Sequence, residues 1–141
     1  MATKERVLKF TVMQHRNPNI SEDEFHTYWT KKHAVLASIW LERNGILGYT
    51  QYHTPKATRD LAVGFADQIG WKLSTYDGHV EFIVRSVDDL SKAVQDPEYP
   101  EKIAPDEQYL LDPSTSMVTV GWEEVYILDG KLVSQGGAGT D

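Results

Sequence analysis

The chain has 141 residues, a formal net charge of −7 and 40% apolar residues, which fits one domain with one core and excludes a disordered protein. Without cysteine, disulfides, thiolate nucleophiles and cysteine-based metal sites are excluded, and without a basic block a nucleic acid partner is not expected. The sequence opens without an apolar signal core and has no run of the roughly 20 apolar residues that cross a bilayer, so we expect a soluble cytoplasmic protein that binds no membrane.

The first predicted elements are a strand and a capped helix. Apolar residues alternate with others over residues 7–14, which predicts a strand. Ser21 and Glu24 form a capping-box pattern, so a helix is expected over residues 21–40. At about 100° per residue, its apolar arc contains Phe25, Trp29, Lys32, Leu36, Ile39 and Trp40. His33 lies at the margin of this arc, where a titratable ring can face a pocket.

Two further strands flank a long segment without clear periodicity. Residues 46–54 and 79–85 show the alternation of strands, and the second has its even-numbered apolar residues on one face. Between them, residues 55–77 have room for one short helical turn and no clear alternation. Because connections longer than about 12 to 15 residues are usually functional in compact domains, we expect a long loop that closes over a pocket. The apolar residues expected in this lid are Phe65, Ile69 and Trp71.

The second half of the chain repeats the order of the first. Helices are predicted over residues 86–96 and 98–110, and a fourth strand over residues 116–128. The order β-α-β-loop-β-α-β is that of a ferredoxin-like α+β fold, a four-stranded antiparallel sheet with helices on one face. Residues 1–128 are expected to form this single domain and residues 129–141 a flexible C-terminal tail. A homodimer is expected because the bare sheet face would carry the apolar side chains of Met13, Ile83 and Val125.

Four motifs and the final strand carry a family resemblance over about residues 7–127: ISEDEFHTYWTKKHA, GYTQYHTP, YDGHVEF and DPEYPEKIAPDE. In this order they resemble the EthD-like members of the dimeric α+β barrel superfamily, most of all small fungal proteins encoded beside aromatic polyketide synthases. The resemblance implies a homodimer with a pocket between sheet and helices in each subunit. It also implies a lyase that decarboxylates an anthrone-type carboxylic acid, or dehydrates and closes a ring, without metal or organic cofactor.

The histidines are the candidate acid/base residues on this topology. A histidine at a helix margin is often a structural residue, but its side chain also exchanges protons near neutral pH. His33 is therefore expected to be the principal acid/base. His53 ends the second strand and His79 begins the third, so either is expected beside it at the pocket. Asp77 or Tyr52 is expected to orient these rings.

The remaining histidines and the aromatic residues complete the expected site. His15 and His26 are interpreted as surface residues, and the five histidines show no HxxxH or HxH spacing, so no metal site is expected. A pocket for a flat polycyclic phenol needs aromatic walls and a few polar groups. The residues expected to bind such a substrate are Tyr28, Trp29, Tyr49, Phe65, Trp71, Phe82 and Trp122.

Other functions are compatible with the same sequence. A cofactor-free monooxygenase would oxidise an anthrone-type ring with O2. A non-catalytic binding partner of an oxidoreductase would need no titratable group facing its pocket. A haem-binding barrel is a third alternative, because a helix histidine can ligate iron.

Overall fold

A four-stranded antiparallel sheet organises residues 7–133, the part of the chain that the computed structural model describes. Its strands are β1 (Leu8–Gln14), β2 (Gly48–His53), β3 (Gly78–Val84) and β4 (Met117–Gly121). The spatial order is β2-β3-β1-β4, and every neighbouring pair is antiparallel. The prediction of a ferredoxin-like sheet is confirmed.

Six α-helices connect these strands. They are α1 (Glu22–Tyr28), α2 (Ala34–Arg43), α3 (Lys56–Arg59), α4 (Val63–Ile69), α5 (Asp88–Ala93) and α6 (Ala104–Leu110). A π-helical turn, Trp29–His33, joins α1 to α2, and a second one, Tyr99–Ile103, precedes α6. Within residues 7–133, none of the helices has the length and apolar character needed to traverse a membrane.

Ser21 caps α1, as its sequence predicts. The Ser21 hydroxyl accepts a hydrogen bond from the backbone N–H of Glu24 at 3.0 Å, which satisfies one of the free donors at the helix start. The reciprocal bond of a capping box is not made by Glu24. Its carboxylate accepts from the hydroxyl of Tyr109 instead, which links α1 to α6.

Residues 55–77 are largely helical, so the prediction of a long loop is wrong. α3 and α4 lie within this segment and are joined by a 3-10 turn, Asp60–Ala62. These helices are not predicted from the sequence because the large apolar residues of this segment, Leu61, Phe65 and Trp71, are all exposed. A surface helix is recognised in a sequence by a stripe of apolar residues on its buried face, and this segment has no such stripe.

The fourth strand ends earlier than predicted. β4 pairs with β1 only as far as Gly121, and Val125 therefore lies beyond the sheet face on which it was expected. A separate hairpin follows, formed by β5 (Ile127–Leu128) and β6 (Lys131–Leu132). The start of the expected tail is thus a strand, and residues 134–141 lie outside the described residues.

The two faces of the sheet have different environments. Side chains alternate along a strand, and Phe10 and Phe82, which pair across β1 and β3, face the helices. Met13 and His79 pair in the same register but have the opposite parity, so they lie on the other face. Ile83 shares that parity. The apolar residues Met13 and Ile83 therefore lie on the sheet face away from the helices, as predicted.

Candidate active site

A cavity of about 520 Å³ lies between the sheet and the helices. From the sheet it is lined by Phe10, Val12, Gln14, Tyr49, Val80 and Phe82. From the helices it is lined mainly by Trp29, His33, Trp40, Tyr99, Glu107 and Leu110. Ligand sites typically combine apolar and aromatic walls with a few polar groups, as this cavity does.

His33 is held in this cavity by Asp106 of α6. Nδ1 of His33 lies 2.8 Å from Oδ2 of Asp106, and both side chains are buried. Because a carboxylate only accepts hydrogen bonds, the ring donates from Nδ1, and in the neutral form of the imidazole the second nitrogen, Nε2, then carries no proton. Nε2 makes no hydrogen bond to any residue of the described part of the chain. A neutral imidazole fixed in this way can take a proton from a bound molecule.

The π-helical turn explains why His33 is buried rather than marginal. Phe25, Trp29, His33 and Ala37 follow one another at intervals of four, and all four are buried. An α-helix has 3.6 residues per turn, so a spacing of four drifts around its axis. The wider turn, closed by the bond from the Ala34 N–H to the Trp29 carbonyl, offsets this drift. The predicted arc is wrong at Lys32 and Ile39, which are exposed.

Tyr28 contributes a second hydrogen bond to Asp106. Its hydroxyl donates to Oδ1, the carboxylate oxygen that His33 does not use. This bond to the carboxylate raises the pKa of Tyr28 to about 12, with a smaller contribution from burial. The phenol therefore stays protonated and keeps Asp106 oriented towards the imidazole. Tyr28 was expected to bind substrate, and the structure gives it this supporting contact instead.

His53 lies on the helix face of the sheet but does not meet His33. Its Nδ1 lies 2.7 Å from Nδ1 of His26, and its ring packs on Trp29 with centroids 4.4 Å apart. Burial lowers the pKa of both His26 and His53. The prediction that His26 is a surface residue is wrong, because it is half-buried and its Nε2 has no partner among the described residues.

His79, Tyr52 and Asp77 lie away from the cavity. His79 cannot share a face with Val80 and Phe82, since successive strand residues alternate, and it stacks on Tyr52 on the opposite face. Its expected position beside His33 is therefore corrected. Asp77 is buried against Arg16, with Oδ1 3.1 Å from the guanidinium and Oδ2 2.8 Å from the backbone nitrogen. Its orienting contact is to that arginine rather than to a histidine.

His15, the other histidine expected at the surface, is only partly exposed. It stacks on Tyr76 with ring centroids 4.4 Å apart. Its two ring nitrogens each lie 2.9 Å from a threonine hydroxyl, that of Thr115 at Nδ1 and that of Thr75 at Nε2. These contacts hold the ring of His15 in place outside the cavity, which indicates a structural role.

The aromatic residues expected to bind substrate divide into two groups. Trp29, Tyr49 and Phe82 line the cavity. Phe65, Trp71 and Trp122 do not, and each of these residues is more than half exposed. The expectation that Phe65, Ile69 and Trp71 close over this cavity is therefore wrong for the described chain, because none of them reaches its wall.

Sequence reasoning missed the two acidic residues of the site, Asp106 and Glu107. They follow Pro105 in the first turn of α6, a position where carboxylates are common for helix stability alone. Only their contacts across the fold identify them. Glu107 lines the cavity and accepts a hydrogen bond from Tyr99. In residues 7–133 no group of three or more histidine and acidic side chains is arranged to hold a metal ion.

The model of one protein family, the EthD domain, matches residues 17–114 of this chain. The chain is 36% identical over 129 residues to the conidial pigment biosynthesis dehydratase EthD of Metarhizium robertsii, covering 92% of this chain and 91% of that protein. It is 37% identical over 123 residues to dehydratase aurZ of Gibberella zeae, covering 87% and 81%. Decarboxylase claH of Passalora fulva is 27% identical over 128 residues, covering 91% and 83%.

Solved structures with little sequence identity share the fold. An EthD family protein of Bacillus halodurans superposes with a TM-score of 0.55 at 12% identity, over 83% of this chain and 98% of that one. A dimeric protein of ferredoxin-like fold from Bacteroides fragilis gives 0.56 at 8% identity, over 83% and 96%. Likeness at such low identity concerns the fold alone.

Proposed function

The chain belongs to the EthD domain family, and we propose that it is a lyase that acts on an aromatic polyketide intermediate, with His33 as its acid/base residue. The relatives named dehydratases and decarboxylases support the lyase class. The observation that carries the role of His33 is its bond to Asp106, which leaves Nε2 at an aromatic cavity.

The shape and lining of the cavity support a flat, ring-containing substrate. Tyr49 and Phe82 lie nearly parallel, with ring centroids 5.8 Å apart and planes inclined by 17°. Trp29 and Trp40 contribute large rings from the helix side. Aromatic faces of this kind bind other rings by stacking and by burial of apolar surface. A volume of about 520 Å³ is in the usual range for sites that bind small organic molecules.

Dehydration is the reaction that we favour. Of the three relatives, the two with the higher identity are named dehydratases. Loss of water from a β-hydroxy ketone begins when a base removes the acidic proton beside the carbonyl. In the neutral form of His33, Nε2 is suited to this step, and Asp106 stabilises the imidazolium that results.

Decarboxylation is the second candidate, supported by the relative named a decarboxylase. When an aromatic or β-keto acid loses CO2, the carbon left behind must receive a proton. An imidazolium at His33 supplies it, and the same cavity holds the ring. Both reactions require only proton transfer, so the proposal includes no cofactor.

We also propose that the protein is a homodimer. Val118, Ile127, Leu128 and Leu132 are each more than half exposed in the single chain. Exposed apolar groups of this number usually mark an interface. One structural neighbour is described as dimeric. Light scattering on the purified protein should give twice the mass of one chain, and a monomer at working concentrations contradicts this part of the proposal.

The reaction class is tested with two kinds of probe. The purified chain is incubated with a bicyclic β-hydroxy ketone of the tetralone class and, separately, with a hydroxynaphthoic acid, and products are identified by mass. Loss of water from the first supports a dehydratase, and loss of CO2 from the second supports a decarboxylase. Oxygen consumption with gain of oxygen in the product would instead identify a monooxygenase.

The role of His33 is tested by substitution. His33→Gln should lower turnover roughly 100-fold or more, because a general acid/base contributes about that much. Binding of a naphthol to the variant, followed by tryptophan fluorescence, shows whether the cavity is intact. Near-normal turnover by a folded His33→Gln protein removes His33 from the mechanism.

A further inference from the structure

A second titratable group lies in the cavity that contains His33. Glu107 lines this cavity, and so does Tyr99. The Tyr99 hydroxyl donates to Oε1 of Glu107 at 2.6 Å. Neighbouring residues on a helix point about 100° apart, which lets Asp106 hold His33 while Glu107 turns into the cavity. The carboxyl is thus fixed by one bond, and Oε2 makes none within the described residues.

The surroundings of Glu107 favour its protonated form. Burial raises the pKa of this carboxyl, and the charge of Asp106 adds to that rise. The hydrogen bond from Tyr99 and the charge of His33 oppose the rise only in part. Burial also raises the pKa of Tyr99, so the phenol keeps its proton and remains a donor. A partly buried carboxylic acid of this kind is a good proton donor in an active site, since it holds its proton closer to neutral pH than an exposed one.

The proposed dehydration needs such a donor. When a base removes the proton from the carbon beside the carbonyl, an enolate forms. The enolate must then expel the hydroxyl group, which is a poor leaving group unless an acid protonates it. His33 is engaged with the carbon proton and cannot serve both ends of the elimination at once. Tyr99 holds its proton more strongly than a carboxylic acid does. Glu107 is the carboxylic acid among the residues that line the cavity.

We propose that Glu107 is the general acid of the elimination, with Tyr99 as the positioning residue that holds its carboxyl group. This inference depends on the proposed dehydratase function. In the reaction His33 takes the carbon-bound proton as the C–H bond breaks and a C=C bond forms. Glu107 gives its proton to the hydroxyl as the C–O bond breaks, and water leaves. Proton transfer from the imidazolium to the carboxylate, through solvent, restores both groups.

The leaving group of the probe distinguishes the two roles. A β-acetoxy ketone of the tetralone class eliminates acetate, which departs without being protonated, whereas the β-hydroxy ketone requires an acid. Glu107→Gln should therefore lower turnover of the hydroxy probe roughly 100-fold or more and leave turnover of the acetoxy probe within a few-fold of wild type. His33→Gln should lose both activities, because the carbon proton must be removed in each case. Glu101→Gln, on the exposed part of the second π-helical turn, makes the same chemical change outside the cavity and should affect neither probe.

Tyr99→Phe tests the positioning role through the pH profile. Wild-type turnover of the hydroxy probe should decline at high pH, where Glu107 loses its proton. Removing the phenol donor raises the pKa of Glu107 further, so this decline should move to higher pH in Tyr99→Phe. In Glu107→Gln the decline should disappear, because the amide does not titrate.

Three outcomes overturn the assignment of Glu107. One is near wild-type turnover of the hydroxy probe by Glu107→Gln. Another is an equal loss on both probes, which would indicate damage to the site rather than a missing acid. The last is a pH profile that Tyr99→Phe and Glu107→Gln leave unchanged. If wild-type protein dehydrates no β-hydroxy ketone while it decarboxylates the naphthoic acid, the dehydratase proposal itself fails, and that result is separate from these three.

Discussion

Asp106 and His33 are 73 positions apart in the chain, and their side chains meet at 2.8 Å between Oδ2 and Nδ1. The carboxylate determines which ring nitrogen carries the proton. It also explains why a helix histidine can be both buried and reactive, since the partner charge offsets the cost of forming an imidazolium in an apolar site.

Replacing Asp106 by Asn should impair turnover while leaving the fold intact. The amide can donate to Nδ1, which favours the tautomer protonated at Nε2, and in that tautomer Nε2 has no lone pair with which to take a proton from a bound molecule. We expect kcat to fall roughly 100-fold or more, measured with the probe that wild type converts. Asp67→Asn, on the exposed surface of α4, is the matched control. A fall of less than about three-fold in kcat at unchanged thermal stability would contradict the role of this carboxylate.

Tyr28→Phe should affect stability more than catalysis. The variant loses the hydroxyl that donates to Oδ1 of Asp106 but keeps the contact of Asp106 with His33. A net hydrogen bond contributes about 1 kcal/mol, so the free energy of unfolding in urea should fall by about that amount. Tyr109→Phe, which removes a donor to Glu24 at the surface, should have a smaller effect. If Tyr109→Phe costs more, the Tyr28 bond is not a significant part of the fold.

The adjacent rings of His26 and His53 should make the fold sensitive to mild acid. Burial lowers the pKa of both in the folded state, so the unfolded chain binds more protons as pH falls below about 6.5. The free energy of unfolding should therefore decrease from pH 7 to pH 5. Glu107 acts in the opposite sense, because its pKa is raised and its protonation favours the folded state.

Substitution separates these two contributions. His53→Gln removes the histidine whose pKa is lowered both by burial and by the charge of His26. Urea unfolding followed at pH 5, 6 and 7 should show a shallower dependence for this variant than for wild type. A dependence that is unchanged or steeper would show that the histidine pair does not control acid sensitivity.

Gly78 should not tolerate a side chain. A Cβ at this position would meet Cζ3 and Cη2 of Trp29 at 2.5 and 2.7 Å, and Trp29 is buried among other rings with little room to move. Gly78→Ala should lower the free energy of unfolding by about 1–3 kcal/mol, as overpacking in a core does.

Gly64 provides the matched control for Gly78. It lies in α4, where an added Cβ meets no atom within 4 Å. Gly64→Ala should raise stability by about 0.5–1 kcal/mol, since alanine is the better helix residue. A Gly78→Ala protein as stable as wild type in thermal unfolding would mean that Trp29 is less confined than the structure indicates.

The sequence predicts the elements whose signals are local. Strand alternation correctly identifies β1, β2 and β3, and the Ser21 cap correctly marks the start of the first helix. The helices within residues 55–77 are missed because their apolar residues are exposed. The end of β4 is missed because alternation continues after pairing with β1 has ended.

The sequence predicts a residue of the candidate site only where the position of that residue in its own helix or strand is enough to identify it. His33 follows from its helix position, whereas Asp106 and Glu107 are identified by contacts between distant segments. His79 illustrates the opposite error, since its type suits catalysis but its parity puts it on the wrong face. The contact between His26 and His53 joins α1 to the end of β2, and no local pattern indicates such a pairing.

The π-helical turn Trp29–His33 contains one residue more than an ordinary α-helical turn spanning the same rise. A single-residue deletion there, for example of the exposed Lys31, would let the backbone close into a regular helix and rotate one end against the other by about 100°. Phe25 and Trp40 then could not both keep their places in the interior. The surplus residue is what keeps the two ends of this long helix in phase.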